Sequence, residues 1–372
     1  MASLHLFADM QQLMPEEYKK RSTAALEARA AEIKRKLGKK LFIPGHHYQK
    51  DEVIQFADAT GDSLQLAQLS AQNKQAEYVV FCGVHFMAET ADILTDSCQT
   101  VVLPDMRAGC SMADMANMEQ TELAWARLQD KFGDTIIPLT YVNSTAEIKA
   151  FVGRHGGATV TSSNAKKMLE WAFGQKERIL FLPDQHLGRN TAYDLGISLS
   201  EMIVWDPVAG RFEEQEERES DFAAVTMILW KGHCSVHENF RLEHVHRLRL
   251  EDPDRNILVH PECTFHVVQA SDFNGSTKYI IDTIKAAPAG SKWAIGTEMN
   301  LVNRLINEHP DKDIVSLNPE MCPCLTMNRI DLPHFVWALE QIEAGRPVNK
   351  IRVPDHIAVE GKLAIERMFA NV

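Results

Sequence analysis

His46, Ser63 and Cys110 are separated by 17 and 47 residues, and His260, Thr277 and Cys324 repeat both intervals (63−46 and 277−260; 110−63 and 324−277). Each His ends an apolar run, KKLFIPGH or RNILVH, and each Cys lies in a loop-like stretch, RAGC or MCPC. An imidazole, a hydroxyl and a thiol at matching depth in two segments point to repeated modules, each giving a thiol to one shared centre. Cys234, in KGHC, is the candidate from a third module. Three thiolates brought together from distant segments suit an iron–sulfur cluster or a soft metal. Three protein ligands leave one iron open, and an open iron binds substrate as a Lewis acid. The competing use of cysteine is as a small buried hydrophobe.

Cys322 and Cys324 flank Pro323, and a turn so tight does not offer both to one iron. The ruler favours Cys324, since Cys322 gives an interval of 45 (322−277). Cys82, in FCGVHF, reads as a core residue at a strand end. Cys98 has no identifiable partner, and Cys263 stands beside Glu262 in a module that already offers Cys324.

The acid–base groups sit beside the rulers. In an extended GHHY segment, His46 and Tyr48 share one face and His47 points away. His260 and Glu262 in HPE have the same spacing, with Pro261 stiffening the turn. A His and a Glu aimed at one pocket can divide acid and base roles near neutral pH. Ser63 in GDSLQLA, Ser162 in TSSNA, and Ser276 with Thr277 in NGSTKYII lie at or near helix starts. Such positions hold carboxylate or phosphate, or simply cap the helix. His85 with Glu89 reads as a helix-face pair, Glu298 as a cap or site residue, and His186 with Arg189 as module contacts or anion binders.

These residues follow short apolar runs rich in Val, Ile and Phe, which alternate with amphipathic stretches. That alternation predicts an α/β fold with parallel sheets covered by helices. In such sheets ligands collect at the C-terminal strand ends. A middle module takes Tyr141 and Asn143, then Ser162, then Cys234, with intervals of 19 and 72 (162−143, 234−162). The excess over 47 fits an inserted loop or hairpin in the acidic stretch 206–222. The expected organisation is a helical lead-in over 1–38, modules over 39–130, 131–250 and 251–345, and a tail over 346–372.

The chain has 372 residues, 45 % hydrophobic and 24 % charged, with a formal net charge of −12. That balance predicts a globular protein and argues against nucleic acid or an anionic membrane as partner. The N-terminus has no basic start followed by an apolar core, so a cytosolic protein is expected. Seven cysteines, an odd count without CxxC, speak against a disulfide framework. There is no GxGxxG and no P-loop.

GHHYQKDEV, FCGVHFMAETADIL, YVNS, TSSNA, PDQHLGRN, GHCSVH, HPE, GSTKYI, GTE and CPCLTMN, in this order, closely resemble the quinolinate synthase A family in its longer, Bacillus-like form. The resemblance implies three α/β/α domains in pseudo-threefold arrangement around a central [4Fe-4S] cluster. It implies condensation of iminosuccinate, supplied by L-aspartate oxidase, with dihydroxyacetone phosphate to give quinolinate, phosphate and water for NAD synthesis. The cluster ligands carry over to Cys110, Cys234 and one Cys of CPC. Other members read Cys-Pro-x-Met-x-Met-Asn, which aligned without gaps selects Cys322, whereas the internal ruler selects Cys324. The substrate residues carry over to His46, Tyr48, Ser63, Tyr141, Asn143, Ser162, His260, Glu262, Ser276 and Thr277. Glu262 with His260 is expected to shuttle protons, with Tyr48 and His46 as further acid–base or orienting groups. The rival readings are a zinc enzyme using Cys and His, and a non-catalytic iron or redox sensor.

Overall fold

A computed structural model describes residues 13–213 and 222–371. The chain divides into two compact units. One contains the segment up to Cys110 with Pro323–Pro354, and the other contains Ser111–Cys322 with the chain from Asp355 onward.

In the first unit, Leu41–Phe42 and Pro44–His46 form one interrupted run, tied by a parallel bridge between Gly45 and Cys82. Its strands lie in the order 59–61, 41–46, 78–80, 100–102, all parallel. In the second unit a four-stranded parallel sheet has the order Phe273–Asn274, Asn256–Val259, Lys292–Gly296, Asp313–Ser316. Adding 214 to the numbers of the first sheet nearly reproduces the second. Helices Ser63–Gln72 and His85–Leu94 become Thr277–Ala286 and Met299–Glu308. The hydrogen bonds repeat as well. Ile43 N–H donates to Asp58 Oδ2 at 2.8 Å, and Ile257 N–H to Asp272 Oδ2 at 2.7 Å.

The third sheet, also in the second unit, orders Ala158–Val160, Ile136–Tyr141, Arg178–Leu182 and Met227–Trp230 in the same way. It is then extended by Met202–Asp206 and Arg211–Phe212, an antiparallel hairpin. The extra length therefore begins before the acidic stretch, as an edge strand. Residues 214–221 of that stretch lie outside the described residues. All six residues of Ile136–Tyr141 are buried, because helices cover both faces of a parallel sheet.

A helix of ten or more residues begins eight residues after each of Cys110, Cys234 and Cys324, the first of them preceded by the short helix Ser111–Asp114. Met118–Phe132 follows Cys110, Leu242–Glu251 follows Cys234, and Leu332–Glu343 follows Cys324 (118−110, 242−234, 332−324). Within their own units, Leu332–Glu343 packs on Thr23–Leu37, and Met118–Phe132 packs on Ala146–Arg154. Leu242–Glu251 supplies Val245 to a core with Ile257, Val259 and Val267.

The closing stretch is a helix, Asp355–Ala370, lying on Ala146–Arg154. Gly153 permits this: a Cβ there would stand 1.9 Å from the Glu360 carbonyl oxygen. Arg367 Nη1 donates to the Gly153 and Gly157 carbonyls at 2.7 Å each, satisfying acceptors at a helix C-terminus. Among the described residues no helix is long and apolar enough to cross a membrane.

Candidate active site

Tyr141 ends a parallel strand of the second unit, and Asp184, Cys234, His260 and Thr297 follow the C-terminal ends of others. Glu262 is the hub. His237 Nδ1 lies 2.7 Å from Glu262 Oε2, and the Tyr141 hydroxyl also donates to this carboxylate. His237 Nε2 lies 3.2 Å from Thr297 Oγ1. A proton on Nδ1 facing the carboxylate leaves Nε2 to accept from threonine. The His237 and His260 rings stack at 4.5 Å with 18° between planes.

Burial by itself would raise the Glu262 pKa. The neighbouring His237 and His260, and the hydrogen bonds from His237 and Tyr141, outweigh burial and hold Glu262 below the usual carboxylate range. His260 is pushed down to about 3, by burial first; Glu262 opposes this and His237 adds to it. It is therefore a neutral imidazole at physiological pH. Its Nδ1 accepts Glu262 N–H at 3.3 Å, so the remaining proton is on Nε2. The HPEC turn is held by Asn190 Nδ2, which donates to the Pro261 and Cys263 carbonyls at 2.9 Å each.

The first unit copies this arrangement. His46 Nδ1 accepts Tyr48 N–H at 3.1 Å, and the two rings meet edge-on at 4.8 Å. His46 N–H donates to Cys82 O at 2.9 Å, as His260 N–H does to Gly296 O at 3.0 Å. Ser63 is buried at the first turn of its helix, behind the capping Asp62. Ser276 is itself the cap of Thr277–Ala286, accepting Tyr279 N–H at 3.3 Å. Ser162 precedes the helix that begins at Ala165, where Asn164 Oδ1 accepts Thr161 N–H at 2.7 Å. Asn143 lies in the turn after Tyr141.

The seven thiols differ in exposure. Cys82 and Cys263 are buried, and burial raises both thiol pKa values. Cys98 and Cys322 are exposed. Cys110, Cys234 and Cys324 are half-buried. Cys234 and Cys324 also share a local fold: Glu238 N–H bonds to Cys234 O, and Asn328 N–H to Cys324 O, each at 3.0 Å. Three half-buried thiols on loops that follow parallel strands are a donor set that fits an iron–sulfur cluster. Cys234 Sγ, His237 and Glu262 each offer a ligand atom within 4.8 Å of the others. However, the 2.7 Å His237–Glu262 approach is a hydrogen bond. Two ligands of one tetrahedral ion stand about 3.3 Å apart.

Sequence reasoning passed over His237, Thr297, Asp184 and Asn190. His237 had a signal, three residues after Cys234 in GHCSVH. Asp184 caps its helix, accepting His186 and Leu187 N–H at 2.7 and 2.9 Å. Burial, and then Glu262, raise its pKa. Glu298 is a buried cap of the same kind, accepting Asn300 and Leu301 N–H. His186 stands 3.7 Å from Glu238, Arg189 bonds to Gln185, and His85 pairs with Glu89 at 3.6 Å.

The family model described as Quinolinate synthetase A protein matches residues 28–370. The chain belongs to this enzyme family. It is 68 % identical over 370 residues to the quinolinate synthase of Bacillus subtilis (strain 168), covering 100 % of both chains. It is 70 % identical over 357 residues to that of Geobacillus sp. (strain WCH70), with 96 % of each covered, and 65 % identical over 372 residues to that of Bacillus cereus (strain ATCC 10987 / NRS 248), with 100 % of each covered. The α/β sheets with their His–Glu hub and half-buried thiols are thus the frame of a quinolinate synthase family member.

Proposed function

We propose that this chain condenses iminosuccinate with dihydroxyacetone phosphate to quinolinate, releasing phosphate and water, as a cytoplasmic transferase of de novo NAD biosynthesis. L-Aspartate oxidase is the proposed source of iminosuccinate. The observation that carries the cofactor assignment is the sorting of seven thiols: the half-buried three are Cys110, Cys234 and Cys324, each eight residues ahead of a helix. They would hold a [4Fe-4S] cluster, each thiol coming from one of three α/β modules, of which the one with Cys234 carries the hairpin. When bound, the cluster supplies Lewis acidity for dehydration at its open iron. Cys322, exposed and out of register, is the alternative ligand this reading disfavours.

The protein groups divide the remaining work. Ser63, Ser162, Ser276 and Thr277, at or near helix N-termini, bind carboxylate and phosphate with amide and hydroxyl donors. Asn143 orients a substrate carboxylate. His260, neutral and protonated at Nε2, donates a hydrogen bond to substrate oxygen without carrying charge. Glu262, ionised, polarises the Tyr141 hydroxyl. The phenol oxygen can then take a proton from substrate while its own passes to Glu262. His237 holds Glu262 in place. His46 and Tyr48 supply a second imidazole–phenol pair for orientation and proton transfer.

The test is anaerobic purification with analysis of iron, acid-labile sulfide and zinc, followed by a quinolinate assay with both substrates. Iron with sulfide and quinolinate formation are expected. Zinc without sulfide, or a cluster without turnover, would overturn the reading.

A further inference from the structure

In two of the three sheets the turn after the first strand is closed by an imidazole. His46 Nδ1 and His260 Nδ1 accept the N–H two residues on, at 3.1 and 3.3 Å. The middle sheet has Tyr141 at that place, and its hydroxyl is directed to Glu262. We infer that Lys149 replaces the missing brace and is a positioning residue for Tyr141 and Asn143. Its side chain is wholly buried, and Nζ donates to Val142 O at 2.8 Å and Ser144 O at 2.5 Å. Those carbonyls flank Asn143, and Ser144 Oγ closes the turn onto Tyr141 O at 2.8 Å.

A fully buried lysine is rare, because desolvating an ammonium is costly unless its donors are satisfied. Here the charge is turned onto backbone dipoles. Pulling both carbonyls onto one ammonium fixes the peptide planes on either side of Asn143, and with them the direction of its side chain. The same turn carries Tyr141, whose hydroxyl must reach Glu262. The ends of the turn are thus set by the sheet and its middle by Lys149. No nearby motif advertises this role, since the residue lies within the helix Ala146–Arg154.

This inference rests on the proposed roles of Tyr141 and Asn143, so its test has one arm that needs no turnover. The cluster-loaded chain is compared with Lys149→Met, which removes charge and donors, and Lys149→Arg, which keeps both. Amide exchange across 142–145 should accelerate at least about tenfold in Lys149→Met and remain unchanged across Asn256–Val259. Cluster iron should be retained. The value of kcat/KM should fall about 100-fold, the scale of a misplaced binding group, with most of the loss in KM. Lys149→Arg should recover part of it. Unchanged exchange at 142–145 would overturn the brace. Loosened exchange with normal kcat/KM would overturn its catalytic use. A uniform loss of protection through the unit, equal in the Met and Arg variants, would reduce Lys149 to a structural residue. Should Lys149→Met fail to fold, Lys149→Gln, which keeps an NH2 donor, is read against the same outcomes. If the unmodified enzyme makes no quinolinate, the functional reading fails and the exchange arm still decides the brace.

Discussion

His237 Nδ1 stands 2.7 Å from Glu262 Oε2, and both side chains are almost wholly buried. A buried carboxylate left to itself would take up a proton; this one is kept ionised by the imidazole donor and the Tyr141 hydroxyl. His237→Ala removes that donor and should raise the Glu262 pKa. The acid limb of the kcat/KM–pH profile should move to higher pH, and kcat/KM should drop by about 10²–10³-fold. Cluster iron should stay near the unmodified level.

Glu262→Gln should keep iron and sulfide and lose turnover by a similar factor, since the amide cannot accept a proton from Tyr141. Near-normal quinolinate formation by the iron-loaded variant would remove Glu262 from the proton path.

The CPC turn gives a clean contrast. Cys324→Ala should lose cluster iron and activity, whereas Cys322→Ala should keep both, because Cys322 is exposed and out of register with Cys110 and Cys234. Iron quantitation and the visible absorption of anaerobic preparations read this directly. A full iron load in Cys324→Ala would move the ligand to Cys322.

His260 makes stability depend on pH. Its folded pKa is about 3, against about 6.5 when unfolded, so between these values the unfolded chain binds the extra proton. The stabilisation is fully present above about pH 6.5 and is lost as pH falls toward 3, with a slope of at most about 1.4 kcal/mol per pH unit from this group. Urea unfolding of the cluster-free chain across that window should show the slope, and His260→Asn should flatten it.

Gly153→Ala should destabilise the second unit by about 1–3 kcal/mol, because the new Cβ meets the Glu360 backbone of the packed helix rather than a movable side chain. Thermal unfolding and proteolysis within 355–370 would register the loss. An unchanged Tm would mean the helix can retreat without cost.

The placement of many candidate residues on the fold's elements was legible in the sequence. The 214-residue offset seen in one imidazole, one hydroxyl and one thiol extends to helices Ser63–Gln72 and Thr277–Ala286 and to the bonds their strands make. Parallel strands flanked by helices put GHHY, YVNS and HPE at C-terminal ends, where ligands collect in such sheets, and this is the rule by which polar residues after apolar runs are named as candidates. The repeat is harder to read in the third sheet because an edge hairpin interrupts it and because Tyr141 stands where the other two sheets carry histidine. Its register survives in the eight-residue interval from Cys234 to the next helix, a distance that is meaningful only once helix starts are known.

The sequence by itself determined the alternation of elements, the repeat, and the thiols, imidazoles and hydroxyls available. These follow from local periodicity and residue chemistry, which need only neighbours along the chain. Tertiary structure decided which of those groups are accessible and what each one faces. It buried Cys82 and Cys263 and left Cys324 half-exposed. It also brought His237 to Glu262, with Thr297 on the far side of the imidazole, and turned Lys149 onto the Asn143 turn. Exposure and hydrogen-bond partnership depend on segments remote in sequence meeting in space, so no local pattern could have carried them.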